Sequence, residues 1–229
     1  MAERISFEDR TSLAAQLADD VAAALSQAIS TKGRAVLAVS GGSTPKKFFD
    51  ALSATDIEWS KVTIMPVDER LVPLENDRSN AGMIVSRLLT NMAANACLSP
   101  MYIEGKSPDE TAAALEISCD DDLPPDVAIL GMGTDGHTAS FFPGGSHLAE
   151  SIDPNTKRRF IPMEAENAGE PRMTLTLPPL LAAPFLALHI EGEEKEMVLL
   201  EAERDLADEE AMPIRAVLSR RNLAVYWAP

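Results

Sequence analysis

Two hydrophobic periodicities alternate along the chain. Leu13, Leu17, Val21, Leu25, Ala28 and Ile29 recur at helical spacing behind a Thr11/Ser12 cap candidate. They predict an amphipathic first helix ending near Lys32-Gly33. The next apolar stretch, Ala35-Val36-Leu37-Ala38-Val39, has no period. An uninterrupted run that short reads as a strand buried on both faces. The alternation then repeats. A helical pattern through Phe48, Phe49 and Leu52 precedes a second strand at Val62–Met65, and helical stretches at about 80–91 and 108–119 precede a third at Asp126–Leu130. Further strands are predicted at Met173–Leu177, Phe185–Ile190 and Leu223–Trp227, with a helix over about 195–203.

Apolar strands alternating with helices predict an α/β fold: a mostly parallel sheet with helices on both faces. No repeat, low-complexity tract or linker is visible, so one domain over 1–229 is the economical reading. Apolar residues make up 45% and charged residues 24% of the chain, which argues against disorder. The apolar stretch Leu177–Ile190 is broken by Pro178, Pro179 and Pro184, so it is not a spanning helix. Met1-Ala2-Glu3-Arg4 opens into polar sequence with no apolar signal region. Cys97 and Cys119 form no CxxC pair, which disfavours a disulfide framework or structural zinc. A cytoplasmic protein is expected.

Charge changes the picture. With 36 acidic and 20 basic side chains, the net charge is −16. That excess excludes nucleic acid and anionic membranes as partners. An anionic small molecule requires a local convergence of basic groups.

In parallel sheets ligands bind beyond the carboxyl ends of the strands, and three strand ends carry unusual chemistry. At the first, Ser40-Gly41-Gly42-Ser43-Thr44-Pro45, glycines allow close backbone approach to a ligand, and Pro45 suits the first position of a helix. The helix N-terminus beyond favours an anion such as phosphate, with Ser43 and Thr44 as added donors. An ordinary strand–turn–helix with a hydroxyl cap is the competing reading. No Walker lysine follows, which disfavours a nucleoside triphosphate. The second strand end, Asp68-Glu69-Arg70 with Arg78, Ser79 and Asn80 beyond, either positions a polar substrate or is a loop of paired surface charges.

The third runs from Gly131 to Gly144. Gly131, Gly133 and Gly136 satisfy GxGxxG after a strand, but Pro143-Gly144-Gly145 breaks the helix that a dinucleotide site needs. The fold is therefore expected to be Rossmann-like without that site. His137 is one of three histidines and follows Asp135 by two residues. It is either a general base or a structural turn residue. His189, inside an apolar strand, reads as a satisfied core residue. Spacing of His137, His147 and Asp135 matches no zinc template, so no metal is expected. Arg172 and Lys195 each sit at the edge of a predicted element, where they can face the same crevice.

Together these blocks resemble the 6-phosphogluconolactonase family, within the superfamily that includes glucosamine-6-phosphate deaminase. Ser40–Pro45, Asp68-Glu69-Arg70 with Ser79-Asn80, Gly131–Gly144, Arg172–Thr176 and Gly192 with Lys195 appear in the family's order. The resemblance implies a single α/β domain and hydrolysis of 6-phospho-D-glucono-1,5-lactone in the oxidative pentose phosphate pathway. It implies no cofactor. The histidine matching His137 is the family's proposed base, and the glycine loop with Arg172 and Lys195 holds the phosphate. In the deaminase the turn reads Asp-Gly-His-Ile-Ala-Phe-Asn-Glu-Pro-Gly; Phe142 stands at its glutamate, and Arg70 at its usual aromatic. Both departures favour the lactonase over a deaminase or aldose–ketose isomerase. A non-catalytic sugar-phosphate-binding protein is the other alternative.

The catalytic set expected is His137, Asp135 and Arg70, and the binding set Gly41, Gly42, Ser43, Thr44, Asp68, Arg172 and Lys195. Asp135 either orients His137 or caps the turn, and Arg70 or glycine-turn N–H groups face the oxyanion. No GxSxG elbow is present, which argues against a serine nucleophile of the α/β-hydrolase kind. The expected partner is a phosphosugar lactone, and the expected assembly a monomer or weak homo-oligomer.

Overall fold

The structure, a computed structural model, describes residues 3–166 and 168–229; Met1 and Ala2, where the N-terminal reading begins, lie outside the described residues. In chain order the strands are β1 (Glu3–Ser6), β2 (Ala35–Val39), β3 (Val62–Pro66), β4 (Asp68–Arg70), β5 (Cys97–Leu98), β6 (Val127–Leu130), β7 (Phe160–Met163), β8 (Arg172–Leu175), β9 (Phe185–Glu191) and β10 (Ala224–Ala228). The helices are α1 (Arg10–Lys32), α2 (Lys46–Ser53), α3 (Asn80–Met83), α4 (Pro108–Ser118), α5 (Leu148–Ser151), α6 (Leu177–Ala182), α7 (Glu193–Arg204) and α8 (Ile214–Leu218).

Seven strands form a parallel sheet in the order β1-β10-β9-β6-β2-β3-β5. The apolar runs are its centre. All five residues of β2 and all four of β6 are buried, and alternate residues feed opposite faces. Leu37 and Val39 pack with α1 and α2, whereas Val36 and Ala38 pack with α4, α6, α7 and α8. From β2 the chain moves outward through β3 to β5. From β6 it moves the other way through β9 to β10. The β2/β6 boundary is therefore the switch point of the sheet, where diverging loops leave a crevice.

Four details differ from the sequence-based expectations. Asp9, not Thr11 or Ser12, caps α1, accepting from Thr11 N at 2.7 Å and Ser12 N at 2.9 Å. Those bonds hold the Asp9 carboxyl below the usual carboxylate range. The helix expected over 80–91 is one α turn that passes into a π turn over Ile84–Leu88. The strand expected at Met173–Leu177 is displaced, because Leu177, Pro178 and Pro179 open α6. Finally, β4, β8 and β7 form a separate antiparallel sheet that sequence patterning did not suggest. After β6 no helix forms until α5, so the GxGxxG segment lacks its dinucleotide context. Among the described residues no helix is long and apolar enough to cross a membrane.

Leu37 is fully buried between β3 and β6 in the sheet centre. Leu37→Ala should cost about 2–5 kcal/mol in urea unfolding through lost burial and a residual cavity. A loss below about 1 kcal/mol would show that the centre tolerates a void.

Candidate active site

A cavity of about 240 Å³ opens at the carboxyl ends of β2 and β6. Its first wall is the loop Ser40–Pro45. Gly41 admits no side chain, since a Cβ there would lie 1.9 Å from Asn80 Oδ1. Gly42 adopts φ 92°, in the left-handed region. Pro45 occupies the cap position of α2, one residue earlier than expected, and no side chain caps the helix. The hydroxyl-capped reading therefore does not hold. Lys195, from the first turn of α7, reaches across to donate to Thr44 Oγ1 at 3.3 Å. Burial pushes the Lys195 ammonium below its ordinary range, while Glu191 and Glu194 work in the opposite direction.

The second wall is the small sheet. Strand alternation turns Asp68 and Arg70 toward the cavity and Glu69 away from it. Glu69 is instead a fastening for the following loop, accepting from the backbone N–H groups of Asn80 and Ala81 at 2.7 Å. Burial raises its carboxyl above the usual range in spite of these bonds. Arg70 sits directly opposite Arg172 in the β4/β8 register, so two guanidinium-bearing residues share one sheet face. Like charges so placed repel. Asp68 compensates in part, at 3.9 Å from Arg172 Nη1, and is itself held by Ser140 Oγ at 2.6 Å. Arg172 donates to the Ala168 and Glu170 carbonyls, and its burial lowers the affinity for its proton. Arg70 donates to the Arg78 carbonyl, while its Nε is buried without a partner.

The third wall is the Gly131–Gly144 segment. His137 Nδ1 lies 2.6 Å from Asp135 Oδ1. The hydrogen bond from His137 holds the Asp135 carboxyl below its ordinary range, so it is a carboxylate at neutral pH. An ionised carboxylate only accepts, which puts the proton on Nδ1 and leaves the lone pair on Nε2. Asp135 also accepts from His137 N at 3.1 Å, so it both orients the ring and shapes the turn. Gly133 makes room for the pair. A Cβ there would fall 2.3 Å from the imidazole and 2.6 Å from Asp135 Oδ1.

Nine of the ten residues expected from sequence line this cavity; Asp135 stands behind His137. Three more line it or support it. Asn80 donates to the Asp68 carbonyl at 2.8 Å and packs on Gly41. Phe142 packs against His137 with ring centroids 4.5 Å apart and planes tilted by 42°, and carries the Arg172 guanidinium 5.5 Å from its ring centre. An aromatic ring thus separates base from cation. His189 also lines the cavity, and it is not the satisfied core residue expected: neither ring nitrogen has a hydrogen-bond partner. Asn80 is marked by its place after the second strand end, whereas position in the sequence gives His189 no signal, because only the fold brings β9 to this crevice.

The family model for glucosamine-6-phosphate isomerases/6-phosphogluconolactonase matches residues 8–227. The chain belongs to this family. Within it, the chain is 54% identical to a 6-phosphogluconolactonase of Rhizobium meliloti, covering 97% of each chain. It is 39% identical to one of Pseudomonas putida, over 96% of this chain and 90% of that one. A 6-phosphogluconolactonase structure from Shewanella baltica superposes with a TM-score of 0.93 at 36% identity, covering 100% and 98% of the two chains. A monomeric glucosamine-6-phosphate deaminase shares the fold at a TM-score of 0.80 and 16% identity, over 99% and 97% of the chains.

Gly133→Ala should break the Asp135–His137 bond by expelling the ring, with a small effect on melting temperature because His137 is part-exposed. The hydrogen-bonded Nδ1 proton resonance of His137 should vanish. Its persistence would contradict the steric account.

Proposed function

We propose that the chain hydrolyses 6-phospho-D-glucono-1,5-lactone to 6-phospho-D-gluconate, with His137 as general base. The observation that carries this reading is the placement of an Asp135-oriented imidazole on the same cavity as Lys195 and the uncapped start of α2. A lactone carbonyl is already electrophilic, so an oriented base and anion-binding groups suffice.

The phosphate lies against Gly41, Gly42, Ser43 and Thr44, where the backbone turn and the α2 N-terminus face it. Lys195 neutralises part of its charge, and Arg172 adds a second cation from the opposite wall. Asp68 and Asn80 line the floor between these walls and accept or donate to sugar hydroxyls. Water attacks C1 as His137 Nε2 removes its proton. The carbonyl π electrons move to oxygen, and Arg70 or the glycine-turn N–H groups supply donors for that oxyanion. Collapse of the intermediate breaks the bond from C1 to the ring oxygen, which takes the proton from the imidazolium. The new carboxylic acid then ionises. Asp135 stabilises the imidazolium throughout and stays ionised, since its own affinity for protons is lowered.

Relief of the Arg70/Arg172 repulsion by an anion also favours the loaded state. Product leaves as a molecule with two anionic groups, toward a surface of the same sign. We place the reaction in a reducing cytoplasm, in keeping with the free thiols of Cys97 and Cys119.

His137→Ala should lower kcat at least 100-fold, the scale of acid–base assistance, with phosphate affinity largely kept. Turnover near wild type would remove His137 from the mechanism. Arg70→Met should lower kcat by about 10²-fold if its guanidinium faces the oxyanion; a change confined to KM would assign Arg70 to binding. Arg172→Ala should raise KM far more than it lowers kcat. A loss in kcat alone would move Arg172 from binding to the chemical step.

A further inference from the structure

His189 is the one group on the cavity wall whose presence the mechanism leaves unexplained. It occupies β9 between Leu188 and Ile190, both fully buried, and is itself 2% exposed. An apolar side chain would fill that position at no cost in hydrogen bonding, whereas a buried imidazole with two unmade bonds is destabilising. Its surroundings are specific. Nε2 lies 3.4 Å from Glu191 Oε1, which also lacks a hydrogen-bond partner. The other Glu191 oxygen stands 3.5 Å from Arg10 Nη1. The Phe48 ring meets the imidazole edge-on, with centroids 6.1 Å apart, and confines it. Glu191 closes β9 one residue before Gly192, the cap of α7, and Lys195 in the first turn of that helix donates to Thr44 on the glycine loop.

His189, Glu191, the start of α7 and Thr44 thus follow one another from β9 to the glycine loop. We infer that His189 is a positioning residue for the phosphate subsite: it fixes the Glu191 carboxylate at the junction of β9 and α7, and so sets where the first turn of α7 delivers Lys195. The unmade bonds of His189 are the cost of that arrangement. This role rests on the assignment of the Thr44/Lys195 end to phosphate.

The test is calorimetric binding of inorganic phosphate and of 6-phosphogluconate, with steady-state kinetics and melting temperature, for wild type, His189→Leu, His189→Gln, Glu191→Gln and the double variant His189→Leu/Glu191→Gln. Expected for His189→Leu is at least fivefold weaker phosphate binding and a matching rise in KM, with kcat within about twofold of wild type and a melting temperature unchanged or raised. His189→Gln, which retains a donor, should recover most of the affinity. The double variant should be no weaker than the weaker single variant, since both act through Lys195. Phosphate affinity in His189→Leu equal to wild type, or a fall in melting temperature with KM unchanged, overturns the inference and leaves the phosphate subsite standing. A wild-type chain that binds neither phosphate overturns both.

Discussion

The structure depends on the divergence of two neighbouring strands. β2 and β6 lie side by side at the sheet centre, but the chain continues from them in opposite directions. Their carboxyl ends therefore cannot be covered by the same connection, and a crevice is left at the point where both cores are deepest. The groups assigned to the site reach that crevice from several elements: Thr44 from the loop before α2, Asp68 and Arg70 from β4, Arg172 from β8, Lys195 from α7 and His137 from the turn after β6. Packing on both faces of the sheet makes this geometry stiff enough to hold like charges together.

Electrostatics within the crevice oppose those of the molecule. The chain carries a net charge of −16, yet the cavity wall presents Arg70, Arg172 and Lys195 together. Burial depresses the proton affinity of Lys195 and Arg172, and Arg70 faces Arg172 across two strands. Such a site is costly when empty and is stabilised by a compact anion. On the proposed function, the surrounding acidity repels polyanions over a longer range while the short-range cations retain a single phosphate.

Much of this was legible in sequence for one physical reason: residues buried on both faces of a parallel sheet must be apolar without interruption. Ala35–Val39 was read to the residue, and β3, β6, β9 and β10 to within one or two. Gly41 and Gly133 beside those strands marked the site because the Asn80 amide and the His137 imidazole leave no room there for a Cβ. The rest lacked such a signature. β1 is largely exposed and β5 has two residues. Pro162 and the charged ends of β4 and β8 disguise the small antiparallel sheet. His189 looked like core because its neighbours are apolar; that it lines the cavity follows from a crossover that no local pattern encodes. Glu69 was grouped with Asp68 and Arg70 by proximity, whereas strand alternation turns it to the opposite side.

The central claim is that this crevice directs water to a phosphorylated lactone. Its most direct measurement is the rate at which the purified chain removes 6-phospho-D-glucono-1,5-lactone beyond spontaneous hydrolysis, with glucosamine 6-phosphate assayed in parallel. The account predicts strong acceleration of lactone loss and no ammonia from the amino sugar. Lactone loss at the spontaneous rate, together with ammonia release, would contradict it.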